Sequence, residues 1–208
     1  AEGDYDGLIH VYRQSTQLVA VIAGATSITL AFCAKHLLWV WTGDKLLADQ
    51  AAPILVFYAL CNGLMAVSSF PFYLQYAKGD LRLHVIGNAI FVVLLIPSII
   101  WFASKYGGIG AGYVWLAMNM ISFVLWLPFV HHKFAPGLNL KWYGRDVLTI
   151  FLAITATGYF LNVILPKMDN RWWQFGEVVV FGGLIVLAGT LASSSAWEII
   201  AQRARGVK

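Results

Sequence analysis

Six long apolar stretches occupy nearly all of this 208-residue chain and fix what it can fold into. They run from Gln17 to Trp41, Ala51 to Ala77, Leu83 to Phe102, Ala111 to His131, Val147 to Leu165 and Phe175 to Ala192. Each is close to the ~20 residues that a helix needs to cross a bilayer. A soluble domain builds on helices that are polar along one face, whereas these are apolar nearly all round. Hydrophobic residues make up 60% of the chain, charged residues only 12%, and the mean hydropathy is +0.72. In hydrocarbon every backbone N–H and C=O must be satisfied internally, so spans are helices or closed barrels. Barrel strands alternate polar and apolar residues; the runs Ile90 to Ile96 (IFVVLLI) and Val178 to Val186 (VVVFGGLIV) do not. The expected fold class is an all-α membrane protein, a bundle of six transmembrane helices. Residues 1–16 are read as a cytoplasmic amphipathic loop, 17–192 as the bundle, and 193–208 as a basic cytoplasmic tail.

The net charge is +4 and the pI near 9.1. The basic residues fall between the apolar runs, where they set topology and meet anionic headgroups, so no nucleic-acid partner is expected. Alternate loops share a side. One side holds Arg13, Lys78, Arg82, Lys133, Lys141, Arg145, Arg203, Arg205 and Lys208; the other holds Lys35, Lys45, Lys105, Lys167 and Arg171. The richer side belongs in the cytoplasm, which places both termini there. Trp39, Trp41, Trp142, Tyr143, Trp172, Trp173 and Trp197 fall at predicted span ends, where amphipathic rings favour the headgroup layer. Pro53 is expected in the first turn of span two; Pro71, Pro97 and Pro128 are expected to kink or end their helices. Pro136-Gly137 and Pro166 are expected in loops. Cys33 and Cys61 both lie within apolar runs and read as small packing residues, not as a disulfide or metal pair. The opening AEGDYDGLIHVYRQ has neither an initiator Met nor a signal peptide, so the chain is expected to be part of a longer protein.

Function must reside in the few polar groups at membrane depth. Span two carries Asn62, Ser68, Ser69 and Gln75; the spacing puts Asn62, Ser69 and Gln75 near one helical face. Such groups can bond sugar hydroxyls or line a wet path without the cost of a buried charge, and they can equally act as interhelical glue. Asn88 and Asn119 read in the same two ways, with a hydrogen bond between them as the packing option. In the turn QYAKGDLRLH, Lys78 and Arg82 either flank a tight turn or attract an anionic headgroup. Lys35 reads as snorkelling to the interface, and His36 as a weaker proton-relay candidate. Glu177 is placed in a solvated first turn, and no other acid is expected deep within a span. His131-His132-Lys133 lacks companions for a metal site. Gly107 to Gly112 (GGIGAG) reads as an extracytoplasmic turn followed by close helix packing. There is no GxxxxGK[ST], GxSxG or HExxH motif, so neither an enzyme nor a cofactor is expected.

The run AEGDYDGLIHVYRQSTQL, the helix end LLWVWTGD, the stretch PFYLQYAKGDLRLHVIGNAI and the turn KYGGIGAGYVWL occur in an order and spacing similar to the C-terminal half of polysaccharide flippases. These are the Wzx-like O-antigen transporters of the multidrug/oligosaccharidyl-lipid/polysaccharide (MOP) superfamily. The resemblance covers about residues 1–166. It implies transmembrane flipping of lipid-linked oligosaccharide or polysaccharide repeat units by alternating access between two bundles, across the bacterial inner membrane. It implies an undecaprenyl-diphosphate-linked glycan as substrate, membrane lipids as surroundings, and an upstream half of the same polypeptide as partner. General transporter physics puts the site between such repeats. The substrate path is then assigned to Asn62, Ser69, Gln75, Lys78, Arg82, Asn88 and Asn119. A cation-coupled drug exporter of the same superfamily and a non-transport membrane assembly subunit are the competing readings.

Overall fold

The computed structural model describes residues 5–165 and 170–198. Helix runs almost throughout, and no strand occurs among the described residues. Helix α1 spans Tyr5–Thr42, α2 Lys45–Ser68, α3 Phe70–Ala77 and α4 Arg82–Ile121. A π-helical turn, Ser122–Trp126, leads into α5, Leu127–Phe134. A short helix α6, Asn139–Lys141, and a second π-helical turn, Trp142–Leu148, lead into α7, Thr149–Ile164; α8 spans Arg171–Ala192. Five continuous helical stretches are long and apolar enough to cross a membrane. The longest, Arg82–Phe134, is also the most apolar, and its most apolar segment is almost entirely unburied within the protein. Val93, Leu125, Leu152 and Val163 stand exposed on the outer surface. In water such a surface would drive association; in a bilayer it meets lipid.

Helix ends follow local chemistry rather than the edges of the apolar runs. The Asp44 side chain accepts hydrogen bonds from the Leu46 and Leu47 N–H groups and so starts α2 at Lys45, the expected role of an N-cap acid. Pro53 therefore lies inside α2, not in its first turn. The Asn170 side chain caps Trp172 and Trp173 in the same way, which starts α8 at Arg171. Glu177 is thus one turn deeper than expected and half-buried, with Oε2 buried and unpartnered. At the N-terminus, residues 5–16 continue α1 instead of forming a loop. Pro71 opens α3 after a break at Ser69, and Pro128 opens α5 after the first π-turn, where the Leu127 N–H reaches back to Ser122 O. Pro97 sits inside α4 without ending it. Pro166, Lys167, Arg203, Arg205 and Lys208 lie outside the described residues.

At Gly107 α4 turns back on itself, with φ +62° and ψ −146°. An uninterrupted helix rises ~1.5 Å per residue, which would hold Phe91 and Trp115 ~36 Å apart. Their ring centroids are 6.4 Å apart. A Cβ on Gly87 would lie 2.6 Å from the Trp126 ring, and one on Gly110 would collide with the Phe102 carbonyl. The paired positions run in opposite directions, so 82–106 and 108–134 are antiparallel arms.

The core forms where α1 packs on α2, α7 and α8 through small residues. Gly63 abuts Ser27, whose hydroxyl donates to Ala59 O at 2.8 Å, and Gly158 lies against Ile28 and Phe32. Close backbone approach of this kind holds helices together in lipid, where burying apolar surface gains little. Cys33 and Cys61 are buried and free, as expected of packing residues. At one end of the bundle, α1 residues 12–17 meet α3, α5, the second π-turn and the end of α8. At the other end Arg171 donates to Val40 O, and Gly108 approaches Ile54.

Candidate functional site

Two polar assemblies lie at the end of the bundle that carries residues 12–17. The first is a network centred on a buried acid. Asp146 is wholly buried and receives the Arg13 Nε at 2.6 Å, the Arg13 Nη2 at 2.9 Å and the Gln17 amide at 2.6 Å. The Gln17 carbonyl accepts from Ser193 Oγ at 2.8 Å and the Ser195 N–H at 2.9 Å, fastening the end of α8 to α1. Beside it, the Tyr12 hydroxyl pairs with His131 Nε2 at 2.8 Å, and His131 Nδ1 with Asn139 Oδ1 at 3.0 Å. The Trp142 indole N–H donates to Thr16 Oγ1 at 3.1 Å. Trp142 is completely buried, which corrects its expected place at the interface: a partner for the indole N–H and rings on several sides offset the loss of the headgroup layer. Asp146 lies just before the apolar run that starts at Val147, not deep within a span, yet it is wholly buried. Its charge is matched bidentately by Arg13, the geometry that makes such burial tolerable.

The second assembly is a cavity of about 280 Å³ between α2–α3 and the two arms of the α4 hairpin. Ser68, Ser69, Gln75, His84, Asn88 and Ser122 give it polar groups; Phe72, Phe91 and Trp126 give it aromatic walls. Among the described residues no Lys, Arg, Asp or Glu lines it. The Ser68 hydroxyl donates to Leu64 O and that of Ser69 to Ala66 O, each at 2.8 Å. The Asn88 amide and His84 Nε2 pair at 3.0 Å, and His84 stacks near Phe72. Gln75 is only 2% exposed; its Nε2 donates to Pro71 O at 3.1 Å, while its Oε1 is buried without a partner. A second, apolar cavity of about 160 Å³ shares Gly87, Phe91, Ser122 and Trp126 with the first and continues between the arms along Leu94, Met118 and Leu125. The polar cavity therefore opens onto an apolar groove.

Of the seven residues assigned from sequence, Ser69, Gln75 and Asn88 meet at this cavity. The other four are placed elsewhere. Asn62 is exposed and donates to Tyr58 O at 2.8 Å; Asn119 donates to Trp115 O at 2.8 Å. Both amides are satisfied by the carbonyl four residues back on their own helix, so neither bonds across to a neighbour. Asn62 is exposed where Gln75 is buried, so the two do not share one environment. Lys78 lies over the Tyr5 ring at 4.5 Å. Arg82 is exposed, its backbone N–H bonded to Asp80 Oδ1. Asp80 pairs with Lys133 Nζ at 2.7 Å; that contact, then the Arg82 N–H, hold its carboxyl below the usual range. Lys35 pairs with Asp49 at 2.5 Å. His131 is buried, and no group of three metal-ligating side chains occurs among the described residues.

Sequence reasoning missed Trp126, Phe91 and Ser122, which sit in an apolar run with nothing to mark them. It also missed Arg13 and Gln17 as a pair, although their spacing of four residues puts them on one helix face. Comparison with protein-family models, curated proteins and solved structures gives no match.

Proposed function

We propose that this chain is a six-crossing part of a translocator that flips lipid-linked oligosaccharide or polysaccharide units across a bacterial inner membrane, with both ends of the chain in the cytoplasm. The observation that carries the reading is the pairing of cavities: a polar, aromatic-walled pocket that continues into an apolar groove. A substrate with a hydroxyl-rich head and a hydrocarbon tail matches both halves, while a wholly apolar or a strongly charged substrate matches only one.

Six crossings are supported by the reversal at Gly107, which divides Arg82–Phe134 into arms each long enough for a ~30 Å core. They are supported also by parity. Gln17 before the first crossing bonds Ser193 and Ser195 after the last, so the chain crosses an even number of times. Residues Arg13, Lys78, Arg82, Lys133, Lys141 and Arg145 lie in segments at that shared end, which suits the cytoplasmic side. The cavity lies within a few residues of the same end, beside the 77–82 turn. A second bundle from elsewhere in the polypeptide completes the alternating-access path in this reading.

Deletion of the gene tests it. The expected result is loss of surface glycan with accumulation of lipid-linked repeat units in the inner leaflet. A deletion strain with normal glycan and no accumulated precursor would overturn the reading.

A further inference from the structure

The orphaned oxygen of Gln75 specifies what the cavity takes. Buried acceptors without a partner are rare and need a reason, and leaving one unmade costs about 1–3 kcal/mol. Gln75 is almost wholly buried, one of its two amide protons goes to Pro71 O, and its Oε1 has no donor partner among the described residues. The neighbouring groups carry the same bias. The Ser68 and Ser69 protons are spent on their own helix, leaving oxygen lone pairs. The Asn88 amide nitrogen is engaged with His84. The cavity thus offers unmet acceptor capacity, with Gln75 Oε1 wholly without a donor, beside the indole N–H of Trp126 and the hydroxyl of Ser122. Among the described residues no Lys or Arg lines it to receive a carboxylate or phosphate.

We propose that Gln75 is a specificity-determining residue: the cavity seats one uncharged, donor-rich sugar ring, a hydroxyl of which bonds Gln75 Oε1 while its apolar face lies on Trp126 or Phe91. With no Lys or Arg among the described lining residues, the seat disfavours acidic sugars and the diphosphate of the carrier. At about 280 Å³ the space suits one ring, being at the small end of ligand pockets, which run ~300–1,000 Å³. The inference rests on the reading of this cavity as the glycan seat and adds which sugars it accepts.

The test uses the full-length protein in lipid nanodiscs, titrated with glucose, glucosamine and glucuronate. The readout is the part of the tryptophan fluorescence that Trp126→Phe removes. Glucose is expected to perturb this signal, with glucuronate at least about tenfold weaker. Gln75→Leu should weaken glucose about tenfold, the loss of one hydrogen bond, while the melting temperature stays the same or rises, because an unsatisfied buried oxygen is replaced by hydrocarbon. A glutamine serving only to hold the helices would lose stability instead. Gln75→Glu should restore glucosamine, whose ammonium meets the new carboxylate, and not glucose. Should Gln75→Leu fail to fold, Gln75→Met reads the same loss. Glucuronate bound as well as glucose, glucose binding unchanged in Gln75→Leu or Gln75→Met, or a Trp126 signal that no sugar perturbs would each overturn the proposal. Sugar binding without translocation would remove the flippase reading and leave the seat; translocation with unaltered binding in the variants would do the reverse.

Discussion

At the scale of single residues, Asp146 is the most constrained position in the described chain. Its carboxylate is fully buried, and all of its partners, Arg13 and Gln17, come from α1. Removing one partner of such a pair strands the other, at a cost of about 3 kcal/mol or more. Asp146→Ala should therefore destabilise the detergent-solubilised protein by about 3 kcal/mol, and adding Arg13→Met should recover most of that loss, read as the coupling term of a double-mutant cycle. A double variant no more stable than Asp146→Ala would show that the pair contributes nothing as a pair. Residue-level legibility was uneven for a physical reason. A polar side chain in an apolar run is visible in sequence, and Ser69, Gln75 and Asn88 were found in that way. Asn62 and Asn119 carry the same mark, yet each is satisfied by its own helix carbonyl. No pattern of residue types separates an amide that turns back on its helix from one that faces a cavity. Asp146 was hidden because the second π-turn runs directly into α7, which places it one residue before the apolar run but inside the packed end.

At the scale of elements, the helices were legible because each must satisfy its own backbone in lipid. Their ends were not, because Asp44 and Asn170 extend α2 and α8 beyond the apolar residues. The reversal at Gly107 was marked by its glycines, and its backbone conformation is one that residues with a Cβ seldom adopt. Gly107→Ala should destabilise by about 1–3 kcal/mol. Gly79→Ala, at φ +69° in an ordinary left-handed turn, should cost about 1 kcal/mol; equal effects in thermal denaturation would contradict the strain argument. The turn that carries Gly79 is pinned to α5 by Asp80 and Lys133. Because the folded carboxyl titrates below its unfolded value, this pin stabilises above the ordinary aspartate pKa of ~3.9, and its contribution is lost as pH falls through the depressed folded value. The stability difference between wild type and Asp80→Asn should be present at neutral pH and shrink below about pH 4. A difference that persists undiminished at lower pH would show that the pair is not what holds the turn.

At the scale of the whole molecule, the described helices pack together with an apolar outer surface. The outer surfaces of the α4 arms, α7 and α8 expose large apolar side chains to lipid or to a further bundle, while polarity gathers at one end in two places with different characters. The Arg13–Asp146–Gln17 network is satisfied throughout and fastens α1 to the second π-turn and the end of α8. The cavity at Gln75 is left with an acceptor unmet. A satisfied network rigidifies; a buried acceptor without a partner calls for a reason. Under the proposed function the first holds the helices in place and the second is the proposed sugar seat. The measurement that tests the proposed function most directly is translocation of a fluorescent polyprenyl-diphosphate-linked glycan by the full-length protein in sealed vesicles, scored by protection of the glycan from an external glycosidase. The account predicts protein-dependent protection that falls about tenfold in Gln75→Leu, as one lost hydrogen bond implies. Protection no greater than in protein-free vesicles would contradict it.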